Sequence, residues 1–301
     1  MTEPSLHHVD CPEPEGSHRM AYWQWGVAGA PHVVLCVHGL TRQGRDFDTL
    51  ARALLQQAGG ALRVVCPDVV GRGHSDWLRN PALYQVPTYA GDMLALAAQL
   101  HAQAPIHALD WVGTSMGGLI GMAVTGTPNL PLPTPVRRLV LNDVGPALRW
   151  EALVRISGYV GKTGQFASVE QAADAMWAIS SGFGPHTREQ WLALSRPMLK
   201  PHPQGGVTLH YDPQIGATFA GMTQEGVAQG EAALWAAYDA ITARTLVLRG
   251  ADSDLLDAAT ARAMTGRGPR AALHEFAGVG HAPTLVAPEQ SRVVTDFLLS
   301  G

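Results

Sequence analysis

The stretch His107-Ala108-Leu109-Asp110-Trp111-Val112-Gly113-Thr114-Ser115-Met116-Gly117-Gly118-Leu119-Ile120-Gly121 decides how this chain reads. An apolar run ends in Gly-Thr-Ser-Met-Gly, and a helical pattern of small residues begins at once. A Gly-x-Ser-x-Gly segment between a strand and a helix turns so sharply that its serine stands at the apex. Gly113 and Gly117 suit it because a β-carbon at either place would strike neighbouring backbone, and the apical residue is held in strained geometry. A serine presented this way has an exposed Oγ beside a helix N-terminus, the arrangement of an activated nucleophile. The plainer alternative is a tight turn with an N-capping serine. Three further segments count against it.

Outward from the turn, apolar runs alternate with helical patterns, which points to parallel βαβ units. Strands are predicted at 20–27, 32–37, 62–67, 109–114, 138–142, 245–249 and 272–276. Helices are predicted at 47–58, 89–101, 116–125, 258–264 and 289–299. Residues 147–238 break the rhythm, with helical periodicity, glycines, prolines and four tryptophans, Trp150, Trp177, Trp191 and Trp235. No strand rhythm shows there apart from a turn at 207–211. The expected organisation is a core of residues 1–146, a helical cap of 147–238 and a second core part of 239–301. Residues 128–135 and 197–206 read as ordinary connections, and no internal repeat is visible.

A chain of 301 residues accommodates one α/β core with an inserted subdomain. A hydrophobic fraction of 46% and a net charge of -4 describe an ordinary globular protein. No basic patch invites nucleic acid, and no apolar run is long enough to span a bilayer. Residues 1–16 are polar and lack the apolar centre of a signal peptide. Cys11, Cys36 and Cys66 are odd in number and lack metal-ligand spacing; Cys36 and Cys66 fall in predicted strands and read as core residues. A cytoplasmic location is therefore expected. His7, His8 and His18 near the start read as solvated polar residues rather than a metal set. Oligomeric state is left open, a homodimer being one option.

The first supporting segment is Phe276-Ala277-Gly278-Val279-Gly280-His281-Ala282-Pro283, a small-residue loop between the last strand and the terminal helix. Gly280 and Ala282 leave the His281 ring uncrowded and able to reach Ser115. The second is His38-Gly39-Leu40-Thr41, directly after a strand. Acyl transfer needs two backbone N–H groups aimed at a developing oxyanion. Met116, after the serine, supplies one and Leu40 the other, with His38 bracing the loop. The third is Asp68-Val69-Val70-Gly71-Arg72-Gly73-His74-Ser75. Its spacing matches no nucleotide fingerprint, so it reads as a structural turn beside the active-site loops.

Together these segments resemble the α/β-hydrolase fold with a helical cap, similar to bacterial carboxylesterases and to the C–C bond hydrolases of aromatic degradation. The resemblance runs from about Met20 to the C-terminus. It implies a mostly parallel central sheet flanked by helices, with Ser115 as nucleophile and His281 as base. It also places the acid that orients the imidazole, in most relatives, three residues after the glycine ending the penultimate strand. Here Arg249-Gly250-Ala251-Asp252-Ser253-Asp254 puts Ser253 at that position, with Asp254 one residue late and Asp252 one early. Some similar esterases carry the acid at the end of the strand after the elbow helix, which here is Asp143. Asp143 and Asp254 both stand as candidates, Asp143 favoured.

The implied chemistry is cleavage of a small carboxylic ester through an acyl-enzyme on Ser115, with no metal or organic cofactor required. A C–C hydrolase of vinylogous diketo acids or a lactonase would use the same triad, although side chains that grip a carboxylate cannot be located from the sequence. A non-catalytic binding protein on the same fold is a further alternative. An epoxide hydrolase or dehalogenase is disfavoured because the elbow carries serine rather than aspartate. The cap tryptophans are expected to wall an apolar pocket or to hold the cap helices together. Arg42 and Arg45 could meet an anionic substrate but read more simply as solvated loop charges.

Overall fold

Short runs dense in valine, leucine and cysteine become the centre of the sheet. The strands β1 (Ser5–Glu13), β2 (Gly16–Gly26), β3 (His32–Val37), β4 (Arg63–Pro67), β5 (Ala108–Thr114) and β6 (Val136–Asn142) precede an insertion, and β9 (Arg244–Gly250) and β10 (Ala272–Phe276) follow it. In the computed structural model, which describes residues 3–14 and 16–300, these form one sheet in the order β1-β2-β4-β3-β5-β6-β9-β10. The strands from β4 through β10 in that order run parallel, and β1 and β2 close one edge antiparallel. Continuous apolar runs are what a sheet covered on both faces requires.

The two faces carry separate cores. Leu109 and Trp111 of β5 join one that includes α2 (Val86–Gln103), α3 (Met116–Gly126) and α8 (Ala258–Gly266). Val112 joins the other, with α1 (Asp48–Gln57) and α9 (Pro288–Leu299). The alternation follows from the two-residue period of a strand. The carboxyl ends of β3, β5, β6 and β9 open onto the loops that bear the candidate residues, the usual place for a ligand in such a sheet.

Several expectations need correction. Residues 5–13 are a strand, paired with β2 from Ser5↔Gln24 to Glu13↔Gly16. Only Val9 and Cys11 of β1 are buried, so an edge strand with one polar face looked like a solvated start. His18 is not solvated either: it is 5% exposed, 3.1 Å from Asp92 and 3.6 Å from Glu13. Burial opposes its charge, but the two carboxylates outweigh burial and hold its pKa above the ordinary histidine value. The polar start expected at residues 1–16 also includes residues 1, 2 and 15, which lie outside the described residues.

The insertion differs from a purely helical cap. It contains α4 (Trp150–Ser157), α5 (Val169–Ser180), α6 (Arg188–Ser195), a hairpin of β7 (Leu199–Pro201) and β8 (Val207–Leu209), and α7 (Gln224–Asp239). The segment 197–206, read as a plain connection, supplies one strand of that hairpin. The helix α7 packs beside the sheet on α3, where a β-carbon on Gly126 would lie 2.1 Å from the Ala237 carbonyl oxygen. The Tyr238 hydroxyl donates to the Met264 carbonyl at 2.7 Å, tying α7 to α8. The part over the site therefore ends before α7, short of the expected boundary at 238. Among the described residues no helix is long and apolar enough to cross a membrane.

Candidate active site

Ser115 sits at φ 52° and ψ −115°, between β5 and α3. Left-handed φ is costly for a residue with a β-carbon, and packing must hold it there. A β-carbon on Gly117 would lie 2.0 Å from the Val37 carbonyl oxygen, and one on Gly113 would lie 2.3 Å from that of Gly117. Both glycines are thus required by close approach. The Ser115 N–H donates to the Asn142 carbonyl at 2.9 Å, and the Asn142 amide donates to Thr114 Oγ1 and the Pro283 carbonyl. Asn142 thereby ties the elbow to the loop that carries His281.

Ser115 Oγ lies 2.9 Å from His281 Nε2, and His281 Nδ1 lies 2.7 Å from Asp143 Oδ2. Asp143 is fully buried at the end of β6. Its Oδ1 accepts the Gly250 N–H at 2.8 Å, and its Oδ2 also accepts the Ser253 hydroxyl at 2.6 Å. A buried carboxylate is tolerable when its lone pairs are filled this way. Ser253, three residues after Gly250, thus donates to the Asp143 carboxylate.

Asp254 does not meet His281. Its oxygens accept from Arg155 Nε at 2.6 Å and Nη2 at 2.9 Å, a two-pronged pair joining the loop after β9 to α4. A one-residue offset at a strand end turned it toward solvent and the cap. Asp252 is likewise exposed.

Beside Ser115, neither the Leu40 nor the Met116 amide has an acceptor within the protein among the described residues. His38 Nε2 accepts the Val69 N–H at 2.9 Å, which leaves Nδ1 to donate to the Gly39 carbonyl at 2.7 Å. The bracing role expected for His38 matches this geometry. Arg72, which sequence reasoning left unassigned, is fully buried. Its Nε donates to the Leu40 carbonyl at 2.8 Å, its Nη1 to the Tyr89 hydroxyl at 3.0 Å, and its Nη2 reaches Met116 Sδ at 3.5 Å. An arginine between two glycines in a turn reads as solvated, so only the neighbouring Val69-Val70 pair hinted at burial.

Burial pushes the His38 pKa down from 6.5 to about 3. Below 6.5 the unfolded chain takes up a proton that the folded ring refuses, so stability is complete above 6.5 and drains as pH falls toward 3. The slope is at most about 1.4 kcal/mol per pH unit. Buried Asp68, raised by desolvation from 3.8 to about 6, works in the opposite sense over its own window. The comparison is therefore with His38→Gln. Its stability deficit relative to wild type, measured by urea unfolding, shrinks by roughly 1–2 kcal/mol between about pH 7 and about pH 5. An unchanged deficit would contradict a neutral, buried His38.

The cleft above Ser115 holds about 160 Å³. Ser115, His281, Gly39 and Leu40 form its floor, and Ile156, Tyr159, Met176, Phe183, Met198 and Tyr211 are among its walls. None of the four cap tryptophans lines it. Trp177 and Trp191 meet edge to face at 5.0 Å inside the cap, and Arg267 lies 4.1 Å over Trp235 beside the core. Three cations reach the cleft, Arg42, Arg155 and Lys162. Arg42 is paired in two-pronged fashion with Asp46. Arg45 lies outside the cleft, bound to Asp48 and stacked 4.8 Å from the Trp23 ring centre. The one group among the described residues with ligand atoms close enough for a metal ion is Cys11, His18 and Asp92, within 4.8 Å of one another under the β1–β2 edge; none of the three lines the cleft.

Comparison with known proteins identifies the family. The model of the alpha/beta hydrolase family matches residues 34–294. A 3-hydroxybutyrate-oligomer hydrolase of Cupriavidus necator is 48% identical over 98% of this chain and 97% of its own length. A 2-hydroxymuconate semialdehyde hydrolase of Pseudomonas sp. is 25% identical over 90% of this chain and 88% of its own. A solved alpha/beta hydrolase of Novosphingobium aromaticivorans superposes with a TM-score of 0.82 at 34% identity, covering 99% of each chain. With the family model spanning most of the sequence and a named hydrolase so similar over nearly all of it, the chain belongs to the alpha/beta hydrolase family and is a hydrolase.

Proposed function

We propose that the chain hydrolyses short esters of small hydroxy acids, with 3-hydroxybutyrate oligomers as the leading substrates, through an acyl-enzyme on Ser115. The observation that carries this reading is the hydrogen-bonded run from Ser115 Oγ through His281 to Asp143 on the floor of a cleft. It occurs in a chain 48% identical over 98% of its length to a 3-hydroxybutyrate-oligomer hydrolase.

In this mechanism Oγ bonds to the ester carbonyl carbon while His281 Nε2 takes the hydroxyl proton. The oxyanion is received by the Leu40 and Met116 amides. The carbon–oxygen bond to the alcohol breaks, and the imidazolium returns the proton to the departing alkoxide. Water then attacks the acyl carbon, giving its proton to His281, and Ser115 leaves with that proton restored. Asp143 holds the imidazole in the tautomer that this needs. We place the enzyme in the cytoplasm, in keeping with three buried cysteines that remain free thiols.

A second reading, C–C cleavage of a vinylogous diketo acid, draws on the cations at the cleft and on the 25%-identical semialdehyde hydrolase. Product analysis on the 3-hydroxybutyrate dimer, p-nitrophenyl esters and a vinylogous diketo acid separates the two. The proposal expects turnover of dimer and simple esters, with loss in Ser115→Ala. Turnover of the diketo acid with inert esters would replace it by the second reading.

A further inference from the structure

We infer that Arg155 and Lys162 form a carboxylate-binding subsite at the mouth of the cleft, so that the enzyme grips a hydroxy-acid oligomer by its free-acid end and releases the terminal unit as the leaving alcohol. This rests on the proposed ester hydrolysis of such oligomers.

The charge count around the cleft is the starting point. Arg42 is matched by Asp46, and Arg155 by Asp254. Lys162 has no carboxylate within 4.0 Å among the described residues. Its ammonium donates to the Gly158 carbonyl at 2.5 Å, which leaves further protons to offer. Arg155 spends Nε and Nη2 on Asp254, and the Tyr159 side chain, which also lines the cleft, lies against its guanidinium. The cleft therefore carries one uncompensated positive charge, the Lys162 ammonium, and the Arg155 guanidinium lines it as well. Both stand beside walls that are mainly apolar, Ile156 and Met176 among them.

A carboxylate completes this arrangement. It balances the net charge, and a guanidinium with an ammonium suits its two oxygens. Asp254 gains a purpose here: from the core side it fixes the orientation of an arginine that belongs to the cap. In a 3-hydroxybutyrate oligomer the free carboxylate lies a few bonds from the oxygen of the last ester, on the alcohol side. Holding that carboxylate at the mouth sets the last ester toward Ser115. The acyl part then extends along the apolar wall. Free acid leaves first, with the proton from His281, and the chain shortens from its acid end.

The experiment compares the 3-hydroxybutyrate dimer as free acid with its methyl ester on wild type, Lys162→Met and Arg155→Met, with p-nitrophenyl butyrate as a control. Wild type should favour the free acid by about ten- to a hundredfold in kcat/KM, the size of one or two hydrogen bonds to charge. Most of that preference should lie in KM. It should fall toward unity in Lys162→Met and in Arg155→Met. Free 3-hydroxybutyrate should competitively inhibit wild-type cleavage of the p-nitrophenyl ester and should inhibit Lys162→Met much less. Equal use of acid and methyl ester by wild type overturns the subsite while leaving the proposed function standing. A preference that survives in both variants overturns its assignment to these residues. Inert dimers with an active p-nitrophenyl ester defeat the hydroxy-acid reading itself.

Discussion

Asp143→Asn lowers kcat on the preferred ester by about ten-thousand-fold with little change in KM, whereas Asp254→Asn keeps most of the wild-type kcat. The first magnitude follows from the asparagine amide, which offers Nδ1 a donor as readily as an acceptor and no longer stabilises the imidazolium. His281 Nδ1 faces Asp143 Oδ2 at 2.7 Å, and the Gly250 and Ser253 donors complete the buried carboxylate. Removing its charge leaves those donors facing an amide, so some loss of stability accompanies the loss of rate. Asp254→Asn acts elsewhere. It frees Arg155 at an exposed pair, where stability changes little. Its effect should appear as a changed KM for substrates with a free carboxylate. Steady-state kinetics of the two variants on a neutral and an anionic ester make the comparison. A collapse of kcat in Asp254→Asn, with Asp143→Asn near wild type, would reverse the proposed roles.

The fold was legible because its strongest constraints are local. Gly113 and Gly117 are set by backbone that a β-carbon would approach to 2.3 and 2.0 Å, which no larger residue survives, and such positions print themselves on a sequence. Parallel strands buried on both faces likewise appear as plain apolar runs, as in His32–Val37. Edge strand β1 did not, because half of its pleat faces water. The acid was ambiguous for a different reason. Whether a carboxylate at the end of β6 or of β9 reaches His281 depends on where two strand ends stop relative to one loop, a comparison across the sheet that local spacing lacks. Arg72 and Arg155 were harder still. A buried arginine and an exposed one carry the same letter, and each is defined by partners far along the chain, Leu40 for the first and Asp254 for the second. Of the two roles open to the cap tryptophans, packing the cap on itself claimed Trp177 and Trp191, a choice that residue type and spacing alone do not make.

Ser115→Ala abolishes turnover, by about a million-fold in kcat, while Ser115→Gly abolishes it equally and leaves a protein more stable than Ser115→Ala. Loss of the attacking oxygen removes the covalent route, and what remains is the rate supported by the oxyanion amides and binding. The contrast in stability comes from the backbone. Ser115 is held at φ 52° and ψ −115°, a conformation that costs of order 1–3 kcal/mol for a residue with a β-carbon and little for glycine. Alanine keeps the β-carbon and so keeps the strain; glycine relieves it, at the expense of some added freedom in the unfolded chain. Net stabilisation of about 1 kcal/mol in Ser115→Gly over Ser115→Ala, read from urea unfolding, is the expected outcome. Equal stabilities would mean that the strain at Ser115 is no larger than the freedom glycine adds to the unfolded chain. The sharp turn would then present Oγ to His281 with little tension between the fold and its chemistry.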